Sequence, residues 1–224
     1  MLVKVIEPYF KLYTYNGLLT QPEGEKLLRW VEFNGRISRK SEDAQTPDSW
    51  RRFIETWVRG HGDWSITEHS HVTAIIRTDR GVTHELVRHR LFSFTQESTR
   101  FVNYKKKSGG DLEFIRPVGI DKTEWFWLDS LVLAEKNYLS MLDAGATPQE
   151  ARSVLPNALA STISVTGNLR NWRHFFLMRT SRETHPDFRR WSIPMLRVFQ
   201  EQIPILYDDI VPESRQIENL SKAR

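Results

Sequence analysis

The thirteen residues from Arg88 to Arg100, RHRLFSFTQESTR, hold three arginines, a histidine, four hydroxyl side chains, a glutamine and a glutamate. Guanidinium groups are planar, permanently charged and forked, so several of them at one locus suit a phosphate or a polarised ring better than an apolar core. Ser93, Thr95, Gln96, Ser98 and Thr99 add the donors and acceptors needed to read a base and a sugar while a phosphate is neutralised. The competing reading is a solvated basic face on a surface helix.

With its flanks, the stretch GVTHELVRHRLFSFTQESTR from Gly81 to Arg100 resembles the signature of the flavin-dependent thymidylate synthases, in which Arg-His-Arg is followed after seven residues by Ser. Arg88, His89, Arg90 and Ser98 meet that spacing without a gap. The resemblance covers Gly62 to Arg190 and is weak over the first sixty residues. It implies an α+β fold with helices around a central antiparallel sheet, assembled as a homotetramer whose active sites draw on several subunits. The implied reaction is reductive methylation of dUMP to dTMP, with methylenetetrahydrofolate as one-carbon donor, NADPH as reductant and FAD carrying the redox chemistry.

The same resemblance implies roles for individual residues. Arg88, Ser98, Arg100 and Arg152 surround dUMP, Gln96, Glu97, Ser98 and Thr99 form the loop that holds it, and Glu85 stands where the family often has a nucleotide-contacting Gln. Arg179, in FFLMRTS, aligns with the arginine that activates the pyrimidine. An arginine is no proton acceptor at neutral pH, so its part is to stabilise negative charge on the N3/O4 side of the ring while also binding the nucleotide. Its competing reading is a side chain snorkelling from an apolar helix to water. The implied FAD contacts are Ser65 in GDWSITEH, Arg88, His89, Arg90, Gln96 where others have Glu, Asn168 and Arg170 in GNLRNWRHF, His174 where some have Asn, and His185. Thr180 to Thr184 precede His185 where shorter members have fewer residues, and Asp63 stands where some carry His.

Composition narrows the chemistry independently. The chain has 224 residues and no cysteine, which removes disulfides, thiolate metal sites and thiol nucleophiles together. The unrelated thymidylate synthases that add a cysteine to uracil use a route closed to this sequence. Hydrophobic residues are 39% and charged ones 27%, an ordinary globular balance, and the net charge of +4 suits many anionic partners. No apolar run is long enough to span a membrane, and MLVKVIEPYFKLY lacks a secretory signal, so a cytoplasmic protein is expected, as one domain over residues 1–224. His61, His69 and His71 lie close together, but no carboxylate-histidine spacing on one helix supports a metal. No P-loop or glycine fingerprint is present, so FAD is expected outside any dinucleotide-binding fold, its pyrophosphate held by arginines and histidine.

The elements that must position these residues are partly legible. Val3 to Tyr15 reads as one or two strands ending at Asn16-Gly17, and Gly24 to Phe33 as a helix with Leu27, Leu28 and Val31 on one stripe. Asn34 to Asp48 reads as a polar loop, then Pro47 to Gly60 as a helix capped by Asp48 with Trp50, Phe53, Ile54 and Trp57 on its apolar face. His71 to Arg77 reads as a strand and the next helix opens near Thr83, giving Glu85 and His89, and His84 and Arg88, shared faces before a loop from Ser93. Lys105 to Gly110 reads as a basic turn and Asp129 to Ala144 as an amphipathic helix. Thr147-Pro148-Gln149-Glu150 is a capping box for a helix bearing Arg152 and interrupted at Pro156. Helices from about Asn171 to Thr180 and Phe188 to Gln202 follow. Two rivals remain: a module binding single-stranded nucleic acid, which wants a broad basic stripe, and a flavoprotein of the same fold acting on another pyrimidine. The dispersal of the arginines at 88, 90, 100, 152, 170 and 179 disfavours the first, so neither nucleic acid nor membrane is expected as a partner.

Overall fold

The computed structural model describes residues 3–107 and 112–212. Strands β1 (Lys4–Ile6), β2 (Tyr9–Thr14) and β3 (Gly17–Leu18) precede helix α1 (Gln21–Ile37). Helix α2 (Ser49–Phe53) continues as a π-helical segment, Ile54–Gly60, and a 3₁₀ segment, Trp64–His69, leads into β4 (His71–Asp79) and α3 (Arg80–Leu86). Then come β5 (Ser93–Gln96), α4 (Tyr104–Lys107), β6 (Glu113–Ile115), α5 (Glu124–Asp143), α6 (Pro148–Ala151), β7 (Ala160–Asn168), α7 (Leu169–Arg179) and α8 (Pro186–Gln202). Five strands form an antiparallel sheet in the order β3-β2-β4-β7-β5, while β1 and β6 pair in parallel through Lys4–Glu113, Val5–Phe114 and Ile6–Ile115. The fold is α+β, with the sheet and the surrounding helices expected from the motif.

The chain forms two compact units, one from Met1–Tyr9, Ile76–Arg88 and Phe94–Ser164, the other from Phe10–Ile75, His89–Ser93 and Val165–Arg224. Each unit collects three separate segments, so no single linker divides the sequence. In the first unit, Leu131 and Tyr138 of α5 close over Tyr104, Leu112, Phe114, Ala151 and Leu159. Helix α6 begins with the expected capping box, in which Thr147 Oγ1 accepts from the Glu150 amide while the Glu150 carboxylate accepts from the Thr147 amide at 2.8 Å. It ends at Ala151 and passes Arg152 to a 3₁₀ turn well before Pro156.

The second unit is built on aromatic packing. Trp172, Phe175 and Phe176 of α7 meet Phe188, Trp191 and Phe199 of α8 and Tyr207, all buried, with Phe188 and Trp191 rings 4.7 Å apart. Edge-on and offset contacts of this kind add about 0.5–1.5 kcal/mol per pair beyond area burial. Helix α1 reaches α8 through Gly24, where an added Cβ would lie 1.7 Å from the Gln202 carbonyl oxygen.

Several expected boundaries move. Helix α1 runs to Ile37, so Asn34–Ile37 is helical rather than loop, because buried Val31, Glu32 and Gly35 extend the stripe of Leu28. After Phe53 the helix widens into its π-helical stretch. The wider turn buries Val58 and leaves Trp57 half-buried, whereas an α-helical stripe places Trp57 in the core. Asp48 occupies the N-cap position, where its side chain makes no cap hydrogen bond and only its carbonyl accepts from the Arg51 amide at 3.4 Å. Asp79 caps α3 by accepting from the Val82 amide at 2.8 Å, which starts that helix at Arg80 rather than Thr83. Because α3 ends at Leu86, Arg88 and His89 lie beyond it and the shared helical faces do not form. Ser93–Gln96 is a strand rather than a loop, and α5 opens at Glu124, ahead of Asp129. Lys105–Lys107 belong to α4, while Ser108 to Gly110 lie outside the described residues.

Candidate active site

The residues assigned to the nucleotide lie almost entirely in the first unit. Strand β5 delivers Gln96, whose Nε2 donates to Thr83 Oγ1 (2.9 Å) and Ser161 Oγ (3.1 Å). Glu97 turns inward. Its Oε1 accepts from the Tyr104 hydroxyl at 2.6 Å, and its Oε2 accepts from Arg77 Nη1 and the Thr162 amide, both at 3.2 Å. Arg77 also grips Glu113 at 2.6 Å, and Lys4 joins Glu113 at 2.7 Å. Burial alone would raise the Glu113 carboxyl, but Lys4 and Arg77 outweigh it and hold the group below its ordinary value. Burial, followed by the bond to Glu97, pushes the Tyr104 hydroxyl well above its usual range, so it stays a donor.

This network fixes one end of a tight turn. The Ser98 carbonyl accepts from the amides of Phe101 (3.2 Å) and Val102 (2.9 Å), and Ser98 Oγ accepts from the Arg100 amide at 3.3 Å. Thr99 is buried and its Oγ1 accepts from Arg152 Nη1 at 3.4 Å, bringing Arg152 to the turn. Arg88 and Arg100 are exposed, and neither has a carboxylate partner among the described residues. Glu85 is half-buried and its carbonyl accepts from the Arg88 amide at 3.2 Å.

The residues assigned to the flavin, apart from Arg88 and Gln96, lie in the second unit together with Arg179. The imidazole of His89 packs edge-on to Phe175 with ring centres 5.1 Å apart, and its Nε2 accepts from Arg179 Nε at 2.8 Å. Burial, then the nearby charges of Arg179 and His174, depress His89 to about 4, so it is neutral and free to accept that bond. Arg179 lies at the last turn of α7, its guanidinium 4.7 Å from the Phe188 ring centre and its carbonyl accepting from Ser192 Oγ at 2.7 Å. It therefore does not simply snorkel outward. Asn168 caps α7 through the Asn171 amide at 2.8 Å, Arg170 donates to Glu68 at 2.6 Å, and His185 accepts from the Asp187 amide at 3.3 Å at the start of α8. Ser65, Arg90 and His174 are exposed.

The structure thus joins Gln96, Glu97, Ser98, Thr99, Arg100 and Arg152 in one connected group and His89 and Arg179 in another, with exposed His174 near enough to act on His89 electrostatically. The segment Thr180–Thr184 is tied down, with Thr180 Oγ1 donating to the Phe176 carbonyl and Thr184 Oγ1 to the Met178 carbonyl, each at 2.8 Å. Sequence reasoning missed Arg77, Tyr104 and Glu113, and it passed over β7, whose strict alternation of buried Ile163, Val165 and Gly167 was the available signal.

Comparison with known proteins decides the family. Residues 21–205 match the model of the family described as thymidylate synthase complementing protein. The chain belongs to this family. It is similar to the flavin-dependent thymidylate synthase of Corynebacterium glutamicum, with 35% identity over 220 residues covering 87% of this chain and 83% of that one. The enzyme of the same name from Mycobacterium tuberculosis is 33% identical, covering 80% of this chain and 78% of its own. Among solved structures, the UMP/dUMP methylase PolB from Streptomyces cacaoi, bound with 5-Br dUMP, has a TM-score of 0.71 and 22% identity, covering 92% of this chain and 96% of that one. That likeness establishes the shared fold. Among the described residues no helix is long and apolar enough to cross a membrane, and no group of three or more His, Asp or Glu could hold a metal ion.

Proposed function

We propose that the chain is a flavin-dependent thymidylate synthase that converts dUMP to dTMP, consuming methylenetetrahydrofolate and NADPH, as a homotetramer in the cytoplasm. The observation that carries this reading is the turn after β5. Arg152 is drawn to Thr99, while Arg88 and Arg100 stay clear of carboxylates among the described residues, and the Arg100, Phe101 and Val102 amides fix the turn by donating to Ser98. Guanidiniums with no carboxylate to neutralise them, on a turn that also carries the Ser98 and Thr99 hydroxyls, suit a nucleotide phosphate, since each charge-assisted contact is about twice as strong as a neutral one. Arg88, Arg100 and Arg152 are assigned to binding dUMP together with Glu85, Gln96, Ser98 and Thr99. Glu97 is assigned to holding the turn, because its carboxylate oxygens already serve Tyr104, Arg77 and Thr162. Arg179 is assigned to the uracil, where its permanent charge stabilises negative charge building on the ring, and His89 orients it.

The residues of the second unit fit FAD by their donor chemistry. Arg90 is exposed and without a carboxylate partner among the described residues, and Arg170 is held only by an exposed pair with Glu68, of the kind worth about 0–1 kcal/mol. These cations suit a pyrophosphate, while Ser65, His89, Asn168, His174 and His185 supply polar contacts. Held by these residues, FAD would supply the two-electron redox chemistry that takes a one-carbon unit from the formaldehyde level in folate to the methyl group of dTMP, with NADPH as the source of the electrons.

The test is turnover by the purified protein with FAD, methylenetetrahydrofolate and NADPH, with and without dUMP, and with UMP in parallel. dTMP formed only when dUMP is present is the expected result. Bound flavin with a methylated product from UMP alone would point to another pyrimidine substrate, and failure to bind flavin would sink the reading.

A further inference from the structure

Arg36 in the last turn of α1 and the polar segment SRKSED that follows, which the proposed reaction leaves unused, border a cavity of about 510 Å³ in the second unit. Its lining includes Arg36, Arg39, Arg52, Ser41, Thr56 and Trp57, and no carboxylate belongs to it. Pockets of about 300–1,000 Å³ are of ligand size. The walls are built rather than loose. Gln45 Nε2 donates to the Arg29 carbonyl at 2.8 Å, anchoring the segment to α1, and Arg36 is held by fully buried Glu32 at 2.8 Å and by the Ser41 carbonyl at 3.3 Å. The Arg39 guanidinium carbon lies over the Trp57 ring, 3.6 Å from its centre.

Charge in this cavity is arranged unequally. Buried Glu32 offsets Arg36, and Asp63 reaches Arg39 at 3.3 Å from an exposed position. Arg52 is exposed and has no hydrogen-bond or ionic partner among the described residues, and the same holds for the Thr56 hydroxyl. A concave surface with a surplus guanidinium, two further guanidiniums and free hydroxyls concentrates anions. The Arg39–Asp63 bond also joins this cavity to the Trp64–His69 segment, which Asp63 precedes and which carries Ser65, one of the residues assigned to the flavin.

We propose that the cavity binds the multiply charged end of an anionic co-substrate, carrying either phosphate or neighbouring carboxylate groups. The identity of that co-substrate rests on the synthase reading, under which NADPH supplies phosphates and the glutamyl tail of folate supplies carboxylates. The anion chemistry stands without it.

The test is calorimetric titration of the FAD-supplemented protein with pyrophosphate, NADPH and a triglutamyl folate, in the wild type and in the Arg52→Glu and Arg52→Lys variants. Reversing the Arg52 charge is expected to weaken pyrophosphate binding about tenfold or more, with Arg52→Lys recovering most of it. A parallel loss for NADPH alone assigns the cavity to phosphate, and for the triglutamyl folate alone to a carboxylate tail. Equal affinities across wild type and Arg52→Glu for all three probes, or no binding by the wild type, overturn the proposal. A wild type that makes no dTMP yet binds pyrophosphate through Arg52 would remove the synthase reading and leave the anion site standing.

Discussion

An arginine can serve a ligand only where the protein leaves it uncommitted, and this chain divides its arginines along that line. Arg77 is locked to Glu113 at 2.6 Å and Arg173 to Asp209 at 2.5 Å, where both are structural, while Arg88, Arg90 and Arg100 carry no carboxylate among the described residues. Glu97 belongs with the structural group even though it sits inside the motif. Its work is to hold the strand end from which the Ser98 turn departs, and the 2.6 Å bond from Tyr104 is one of its anchors. Tyr104→Phe removes that donor and nothing else of similar size. Hydrogen bonds to charged groups contribute about 1.5–3 kcal/mol, so a fall in melting temperature is expected. A structural defect alone would stop there. Release of the turn should also raise the KM for dUMP several-fold while bound FAD is unchanged, and steady-state kinetics with flavin absorbance checks it. An unaltered KM would confine Tyr104 to stability.

At the scale of elements, the helices were the legible part. Local signals such as the Thr147–Glu150 capping box and the apolar spacing of α7 and α8 act within a few residues, so the sequence displays them directly. What lay hidden depends on partners far apart in the chain. Glu97 meets Thr162 only because β5 lies beside β7, and nothing local to Ser93–Gln96 marks that stretch as a strand. Arg77 is likewise unremarkable in sequence, yet it ties Glu97 to Glu113 across long separations. The route from α3 to His89 has the same origin. Phe92 is drawn into the core against Trp172, ring centres 4.8 Å apart, and it fits there because Gly167 of β7 has no side chain. An added Cβ at Gly167 would stand 2.4 Å from the Phe92 ring. Gly167→Ala should therefore displace Phe92 and with it His89, whose carbonyl accepts from the Phe92 amide at 3.1 Å. Overpacking of this sort costs about 1–3 kcal/mol, measurable by denaturant unfolding. Because His89 orients Arg179, turnover should fall as well, and wild-type turnover in a destabilised Gly167→Ala protein would break that link.

For the whole molecule, the remaining question is what covers its exposed apolar surface. Helix α5 buries Leu131 and Tyr138 but leaves Trp125, Phe126 and Leu133 exposed at 71%, 69% and 57%. Phe126 and Leu133 are seven residues apart, about two helical turns, so they face the same way, and the Trp125 ring packs edge-on to Phe126 with centres 5.6 Å apart to widen this apolar strip. Strips of that kind mark contact surfaces, and a second copy of the chain fits it most simply, since a closed symmetric assembly buries the same face on each subunit. The homotetramer in the proposed function supplies that occupant. Light scattering on the purified protein is expected to give about four times the 26.4 kDa chain mass. Replacing Trp125 and Phe126 together with Glu should lower the assembled mass while leaving the isolated fold intact, because neither side chain contributes to the core. If active sites are shared between subunits, dTMP synthesis falls with the mass and recovers at high protein concentration, where mass action restores assembly. A variant that stays tetrameric would clear α5 of the interface, and a small variant with full turnover would show each subunit to be complete in itself.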